Sequence, residues 1–513
     1  MEIIISSLQT VFTFEVLIAM LIGVLFGMVV GALPGFTGTM GVALLLPITI
    51  GMEPIPALSM LVCLYTASTY GGSITAILIH TPGTAASAAT ADDGYALTLQ
   101  GRGMQAIGMS TVTSCIGGFL SGIALIFISP WLAKCSLLFG PGEYFFVALF
   151  GLSVIASLCT GGVVKGLLSA CLGLFVACIG IDTITSYARF TYGFNGLGAG
   201  LGLVPTLIGL FSISQVMIMA ENDVDANKDG IVSKAISKLK GTVFIPLVEW
   251  KNYIIPVLRS YIIGLFVGIL PGAGGDIGSW IAYNTGKQQS KHPEEYGKGS
   301  LEGIACSETA NNSVCGGALV PLLTLGVPGS ATAAVILGGF TMHGLIPGND
   351  LFTVQAHMTY PIMIAFALSN FLMAAIGLLA ARYFAKVTII PISILAPCII
   401  VFATLGSYAV QYNMVDVWAM VIFGAIGYFM RKNGMATAPI VLALVLGPMA
   451  EGRLLQSTIA ARSTPLLLYF MSRPICVVVF FLIIISIGVP VYQNFRAKRK
   501  TKAAGSDTVE AEE

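Results

Sequence analysis

Val16-Leu-Ile-Ala-Met-Leu-Ile-Gly-Val-Leu-Phe-Gly-Met-Val-Val-Gly-Ala-Leu33 carries no charge, and Pro34-Gly35 follows at once. A helix needs ~20 apolar residues to cross a bilayer, and the apolar stretch here runs from about Val11 to Ala32. It does not alternate apolar with polar residues, as a strand of a membrane β-barrel would. Uncharged runs recur at 117–130, 365–381 and 475–491. Across all 513 residues, 56% are apolar and only 10% charged. A soluble domain carries about 25% charged residues because its surface must face water. The composition therefore excludes a soluble protein. It predicts an all-α polytopic membrane protein with about 11–13 transmembrane helices.

A net charge of +1 gives no electrostatic footprint for nucleic acid. The ten cysteines are scattered, mostly in apolar stretches, and read as small packing residues. No Lys or Arg precedes Arg102, whereas Arg496, Lys498, Arg499, Lys500 and Lys502 follow the last apolar run. The positive-inside rule then places the N-terminus outside and the C-terminus in the cytoplasm, with an odd number of crossings. The chain start also lacks the basic segment of a secretory signal.

The two halves repeat each other. Gly31-Ala-Leu-Pro-Gly35 matches Gly268-Ile-Leu-Pro-Gly272, and Gly38 and Gly41 continue at Gly275 and Gly278. Gly71-Gly72 matches Gly316-Gly317, and Pro82-Gly83-Thr84 matches Pro328-Gly329-Ser330. The repeat is about 240 residues long, a size typical of secondary transporters, whose halves are often inverted. The expected division is 1–220 as the first transmembrane repeat and 221–252 as a cytoplasmic polar insert rich in lysine. A second repeat at 253–465, a C-terminal transmembrane helix at 466–495 and a cytoplasmic tail at 496–513 complete it.

Paired Gly-Pro interruptions predict broken helices and re-entrant segments, whose freed amides and carbonyls must be buried or line a wet cavity. Freed amides at a helix start suit carboxylates, and freed carbonyls with nearby hydroxyls suit Na⁺. The first half offers Gly35, Thr37, Gly38 and Thr39, then Tyr70, Gly71, Gly72 and Ser73, then Thr81, Pro82, Gly83 and Thr84. The second offers Gly272, Gly274, Gly275 and Asp276, then Glu308, Asn311 and Asn312, then Gly316, Gly317, Pro328, Gly329 and Ser330. Asn311 and Asn312 are the candidate Na⁺ ligands. The bland alternatives are close helix packing for the glycines and a loop end near the headgroups for Glu308, Asn311 and Asn312. Asp276 reads equally as a helix N-cap. Asp92-Asp93-Gly94-Tyr95 reads as a polar turn before an ion ligand.

Other signals fail on inspection. Asp225, Asn227, Asp229 and Gly230 start a calcium-loop pattern, but Ile236 stands where a bidentate Glu is needed. The glycines of 196–202 lack a surrounding βαβ unit. No phosphate-binding Walker pattern occurs, so ATP is not expected as the energy source. No catalytic triad or metal pair supports an enzyme, and no cofactor is expected beyond a coupling ion, Na⁺ or H⁺.

Three first-half motifs resemble those of the large membrane subunit of tripartite tricarboxylate transporters, the TctA family. They are residues 31–41 (GALPGFTGTMG), 70–78 (YGGSITAIL) and 81–90 (TPGTAASAAT). Residues 270–275 (LPGAGG), 290–294 (SKHPE), 308–312 (ETANN) and 316–330 (GGALVPLLTLGVPGS) are similar too. His80 departs from the Asn often found before Thr-Pro-Gly, and Ser307 from the Pro often found before the Glu. The resemblance implies a bacterial inner-membrane permease for small carboxylates, including citrate. It also implies two partners, a small membrane subunit (TctB-like) and a periplasmic solute-binding protein (TctC-like), with uptake driven by Na⁺ or H⁺. A passive anion channel and a membrane-embedded enzyme are the competing functions.

Overall fold

The computed structural model describes residues 2–33, 35–158, 163–182, 186–221, 242–246, 248–272, 274–384, 392–462 and 464–488. Pro34, most of the polar insert with its calcium-like turn, and the basic tail lie outside the described residues. Most of the described residues are helical, and eight helices among them are long and apolar enough to cross a membrane. It is a multi-pass membrane protein.

It folds as two compact units. One holds Met1–Leu138 and Phe194–Phe429; the other holds Phe139–Gly193 and the described residues from Met430 on. The first unit opens with a short helix, Glu2–Val11, and the first crossing begins only at Phe14, after extended backbone at Thr13. Ten of its helices position the candidate site. The first five are α1 (Phe14–Ala32), α2 (Gly38–Leu45), α3 (Pro54–Ile79), α4 (Ala88–Leu99) and α5 (Gly103–Ser136). The next five are α6 (Ile254–Ile269), α7 (Gly274–Gln289), α8 (Leu301–Leu325), α9 (Ala331–Met342) and α10 (Ala356–Phe384).

Glycines at every fourth position set how closely these helices approach. A Cβ added at Gly23, Gly27 or Gly31 of α1 would strike the backbone of Met60, Leu64 or Ser68 on α3. Gly264 and Gly268 of α6 lie in the same way against Ala310 and Val314 on α8. Without a hydrophobic drive between helices in lipid, such small-residue stripes let backbones touch and gain dispersion energy. Gly71 on α3 faces Met28 O and Gly31 Cα, while Gly317 on α8 faces Leu265 O and Gly268 Cα. By these contacts Gly71 corresponds to Gly317, one residue away from the pairing that the two Gly-Gly dipeptides suggest.

Both Leu-Pro-Gly motifs end a helix. Gly35 and Gly272 adopt φ of 83° and 74°, left-handed backbone that costs glycine little, and the chain turns there into α2 and α7. The Gly-Gly dipeptides, by contrast, do not break helices. Tyr70 to Ser73 and Gly316-Gly317 lie within the unbroken α3 and α8. α3 instead stops at His80, held left-handed at φ 55°, and α8 at Gly326, at φ 72°. The chain then doubles back: Gly83 N–H donates to Gly72 O at 3.2 Å, Gly329 N–H to Ala318 O at 3.4 Å.

The second unit contains a two-residue antiparallel ribbon, Gly180–Ile181 with Ala188–Arg189. Arg189 sits between Asp182 at 3.1 Å and Glu451 at 2.5 Å. Arg473 reaches the buried Glu143 at 2.8 Å, beside packed rings of Phe145, Phe146 and Phe470.

Candidate functional site

α3 and α8 are buried along nearly their whole length, and both carry polar side chains inward. The Glu308 side chain is fully buried in the middle of α8. Its Oε1 accepts from Ser73 Oγ at 2.7 Å and Thr90 Oγ1 at 2.5 Å. Its Oε2 accepts from Ser110 Oγ at 3.2 Å and Ser114 Oγ at 3.0 Å. These four hydroxyls come from α3, α4 and α5, so one carboxylate ties three other helices to α8. Hydroxyl donors satisfy its oxygens where water cannot, the condition under which a buried carboxylate is tolerated. Among the described residues no Lys or Arg forms an ion pair with it.

One turn further along α8, Asn312 Oδ1 and Asn370 Oδ1 both face Thr66 Oγ1, at 3.4 and 2.8 Å. Asn312 Nδ2 donates to Glu308 O at 3.4 Å, and Asn370 Nδ2 to Phe366 O at 2.8 Å. A polar layer thus joins α3, α8 and α10. Asn311, also buried, has neither side-chain atom in a hydrogen bond. Glu308, Asn311 and Asn312 therefore sit inside a continuous helix, and the loop-end alternative is wrong. Their neighbours Ser307, Thr309, Ala310 and Ser313 are buried as well, because the helix is packed in protein all round.

Helix starts meet in pairs around this layer. At one, α2 and α9 approach so that Thr39 Oγ1 and Thr332 Oγ1 lie 2.8 Å apart. Thr37 caps α2 by accepting from Met40 N–H at 3.4 Å, and Ser330 caps α9 by accepting from Ala333 N–H at 3.1 Å. Ser330 Oγ also lies 2.9 Å from Tyr65 OH. At the other, the start of α7 approaches the turn Ala85–Ser87 that leads into α4. A Cβ on Gly275 would stand 2.7 Å from Asn311 Oδ1 and 3.2 Å from Ala86 Cβ. First-turn amides lack intrahelical acceptors and carry partial positive charge, which attracts an anion, and at the start of α7 Asp276 already offsets part of that charge.

The remaining candidates take mixed places. Gly38 packs against Ser68 Oγ, Gly72 against Thr84 and Ser87, and Gly316 against Ser121, all as close contacts. Tyr70 OH bonds Thr111 Oγ1 at 2.6 Å, away from the helix starts. Thr84 Oγ1 pairs with Ser87 Oγ at 2.9 Å, while Thr81 is exposed and donates to Ile79 O at 3.2 Å. Pro82 and Gly83 form the return turn, as Pro328 and Gly329 do, and Gly272 N–H donates to Gly329 O at 2.9 Å. Gly274 adopts φ of 66°. Asp276 is exposed in the first turn of α7, past the N-cap position.

Asp92 and Asp93 lie within α4 and form no turn. Asp93 is fully buried, and its Oδ1 accepts the N–H groups of Gly297, Gly299 and Ser300 at 2.7 to 2.9 Å. Its Oδ2 accepts from Tyr283 OH at 2.7 Å. Its task is to pin the loop between α7 and α8. In that loop burial pushes the Tyr296 phenol well above its ordinary range. Asp92 faces His80 at 3.1 Å, and the imidazole stacks on Tyr95.

Sequence reading missed Thr90, Ser110, Ser114, Thr66, Tyr65 and Asn370. The available signals were Ser110 and Ser114 one turn apart in an apolar helix, and Asn370 as a lone amide in another.

Residues 17–442 match the family described as the tripartite tricarboxylate transporter TctA family. The chain belongs to that family. As a TctA member it is a component of a tricarboxylate transporter. It is similar to an uncharacterised 52.8 kDa protein of the TAR-I ttuC' 3' region of Agrobacterium vitis, with 34% identity over 93% of each chain. A second protein, from the TAR-II ttuC' 3' region of the same organism, is 34% identical over 46% of this chain and 97% of its own length. No solved structure matches the chain.

Proposed function

We propose that this TctA-family chain is the large permease subunit of a binding-protein-dependent secondary transporter for small carboxylates, driven by Na⁺ or H⁺. The observation that carries this reading is the meeting of helix starts from both halves of the chain over the buried polar layer of α3 and α8. Positive helix ends supply the anion's countercharge without a fixed cation, so a site can bind and still release its cargo. Glu308, Asn311 and Asn312 are the groups we assign to substrate or coupling-ion recognition.

The two halves, α1–α5 and α6–α10, act as inverted repeats that expose this layer to one side and then the other. A TctC-like periplasmic protein delivers the substrate and a TctB-like subunit completes the assembly. The protein sits in a bacterial inner membrane with its N-terminus periplasmic and its C-terminus cytoplasmic, as the basic tail indicates. An impermeant thiol reagent applied to intact spheroplasts should label a cysteine placed at Ser6 and spare one placed at Ser506. Labelling both from one side contradicts the topology.

The functional test is uptake of labelled carboxylates into vesicles holding the subunits, with and without the purified binding protein. Uptake of at least one carboxylate that needs the binding protein is the expected result. Vesicles impermeable to every carboxylate under all conditions overturn the reading.

A further inference from the structure

The two meeting points of helix starts share one plan but differ in how their polar groups are used. Tyr65 stands six residues before Gly71 on α3, and Asn311 six residues before Gly317 on α8. Those two glycines make the same contacts, each with the carbonyl and Cα pair of its preceding helix. Gly38 lies against Thr332 as Gly275 lies against Ala86. Tyr65 and Asn311 are therefore counterparts, as are Thr332 and Ala86.

At the Tyr65 end the protein satisfies itself. Tyr65 OH pairs with Ser330 Oγ at 2.9 Å, and Thr39 Oγ1 with Thr332 Oγ1 at 2.8 Å. At the Asn311 end Ala86 replaces the hydroxyl of Thr332 with a methyl. The Asn311 side chain is 1% exposed, and both Nδ2 and Oδ1 lack a partner. Buried amides are nearly always paired. An amide unpaired at both atoms, between the starts of α7 and of the segment entering α4, marks a place for a ligand.

An amide offers one donating and one accepting edge. A bare carboxylate satisfies Nδ2 alone. A hydroxyl on the carbon next to the carboxylate satisfies Oδ1 as well.

We propose that Asn311 is the specificity-determining residue of a single, asymmetric ligand subsite, and that the subsite takes hydroxycarboxylates. Nδ2 donates to a carboxylate oxygen, and Oδ1 accepts from the neighbouring hydroxyl. The Tyr65 end, closed by Ser330, takes no headgroup. This inference rests on the carboxylate-permease reading, and the ligand enters when the starts of α4 and α7 part.

The test is binding to the purified chain in detergent, by calorimetry and by melting temperature, using matched acids with and without the hydroxyl. Malate against succinate and citrate against tricarballylate are the probes. In the wild type the hydroxy acid should bind about tenfold tighter or more, because the matched acid without the hydroxyl leaves Oδ1 unpaired. Asn311→Leu should raise the melting temperature of the ligand-free protein, since it removes an unsatisfied buried amide. The same variant should lose the hydroxyl preference and the ligand-induced shift. Tyr65→Phe should lower the ligand-free melting temperature by removing the Tyr65–Ser330 hydrogen bond, and keep the preference. Equal binding of both members of each pair in the wild type overturns the inference and leaves the permease reading standing. So does a preference that survives in Asn311→Leu, or a Na⁺ requirement with no hydroxyl preference, which assigns Oδ1 to the ion. If no carboxylate binds the wild type, the permease reading fails and the inference with it.

Discussion

Thr90 donates to Glu308 at 2.5 Å across 218 residues of chain. It joins α4, in the first half, to the centre of α8, in the second, and it does so through a carboxylate that pairs with no Lys or Arg among the described residues. Hydrogen bonds to charged groups contribute about 1.5–3 kcal/mol each when the acceptor is held away from water. Thr90→Val keeps the shape and removes the donor. We expect the variant to lose stability of that order, read as a lower melting temperature in detergent, and Thr90→Ser to recover most of it. A Val variant as stable as its parent would show that the remaining three hydroxyls suffice.

Gly27 tests the α1–α3 packing from the middle of its glycine stripe. A Cβ there would stand 2.6 Å from Leu64 O and 2.9 Å from Ala67 Cβ. Neither is the end of a flexible side chain, so the helices must separate. Gly27→Val should abolish folded protein in the membrane fraction. The same change at Gly51, which has open space around it, should leave the yield near normal.

Asp93→Ala should release the loop of residues 290–300 while leaving α4 helical. Three backbone N–H groups and one phenol would lose their acceptor, at a cost above about 2 kcal/mol. Limited proteolysis reads this directly: cleavage in the loop should rise several-fold. Unchanged cleavage would mean that the loop is held by other contacts.

The fold was legible in the sequence where one physical rule dominates. Uncharged runs give the crossings, because lipid admits little else, and Leu-Pro-Gly gives the helix ends, because proline lacks a donor and glycine takes left-handed angles. The site was legible only in part. Glu308, Asn311 and Asn312 stand out as polar residues in apolar surroundings, yet sequence could not separate mid-helix from loop end. Ser110, Ser114 and Thr90 were overlooked because serine and threonine are common packing residues in membrane helices. Only the tertiary structure shows that their hydroxyls converge on one carboxylate. Asp92-Asp93-Gly94 reads as a turn by local propensity, but the bonds from Asp93 to a distant loop favour helix there. The sequence pairing of Gly71 with Gly316 was off by one, because adjacent glycines look alike until a neighbouring backbone distinguishes them; by contacts Gly71 answers to Gly317.

Asn312→Ala removes the amide that shares Thr66 with Asn370 and keeps the helix. Glu308→Gln keeps most of the hydroxyl set and removes the charge. We expect each to reduce uptake at least tenfold at normal membrane abundance, and one of them to change the dependence on Na⁺ or on pH. If both carry substrate like the parent, with the same ion dependence, the polar layer only holds helices together.

Accumulation against a gradient separates a permease from a pore most directly. Proteoliposomes holding the large and small subunits, loaded without ATP and supplied with the binding protein, are given a labelled carboxylate and an imposed Na⁺ or proton gradient. Internal substrate should rise above the external concentration and collapse when an ionophore removes the driving gradient. Equilibration that stops at equal concentrations, or accumulation that requires ATP, contradicts ion-driven transport by this chain.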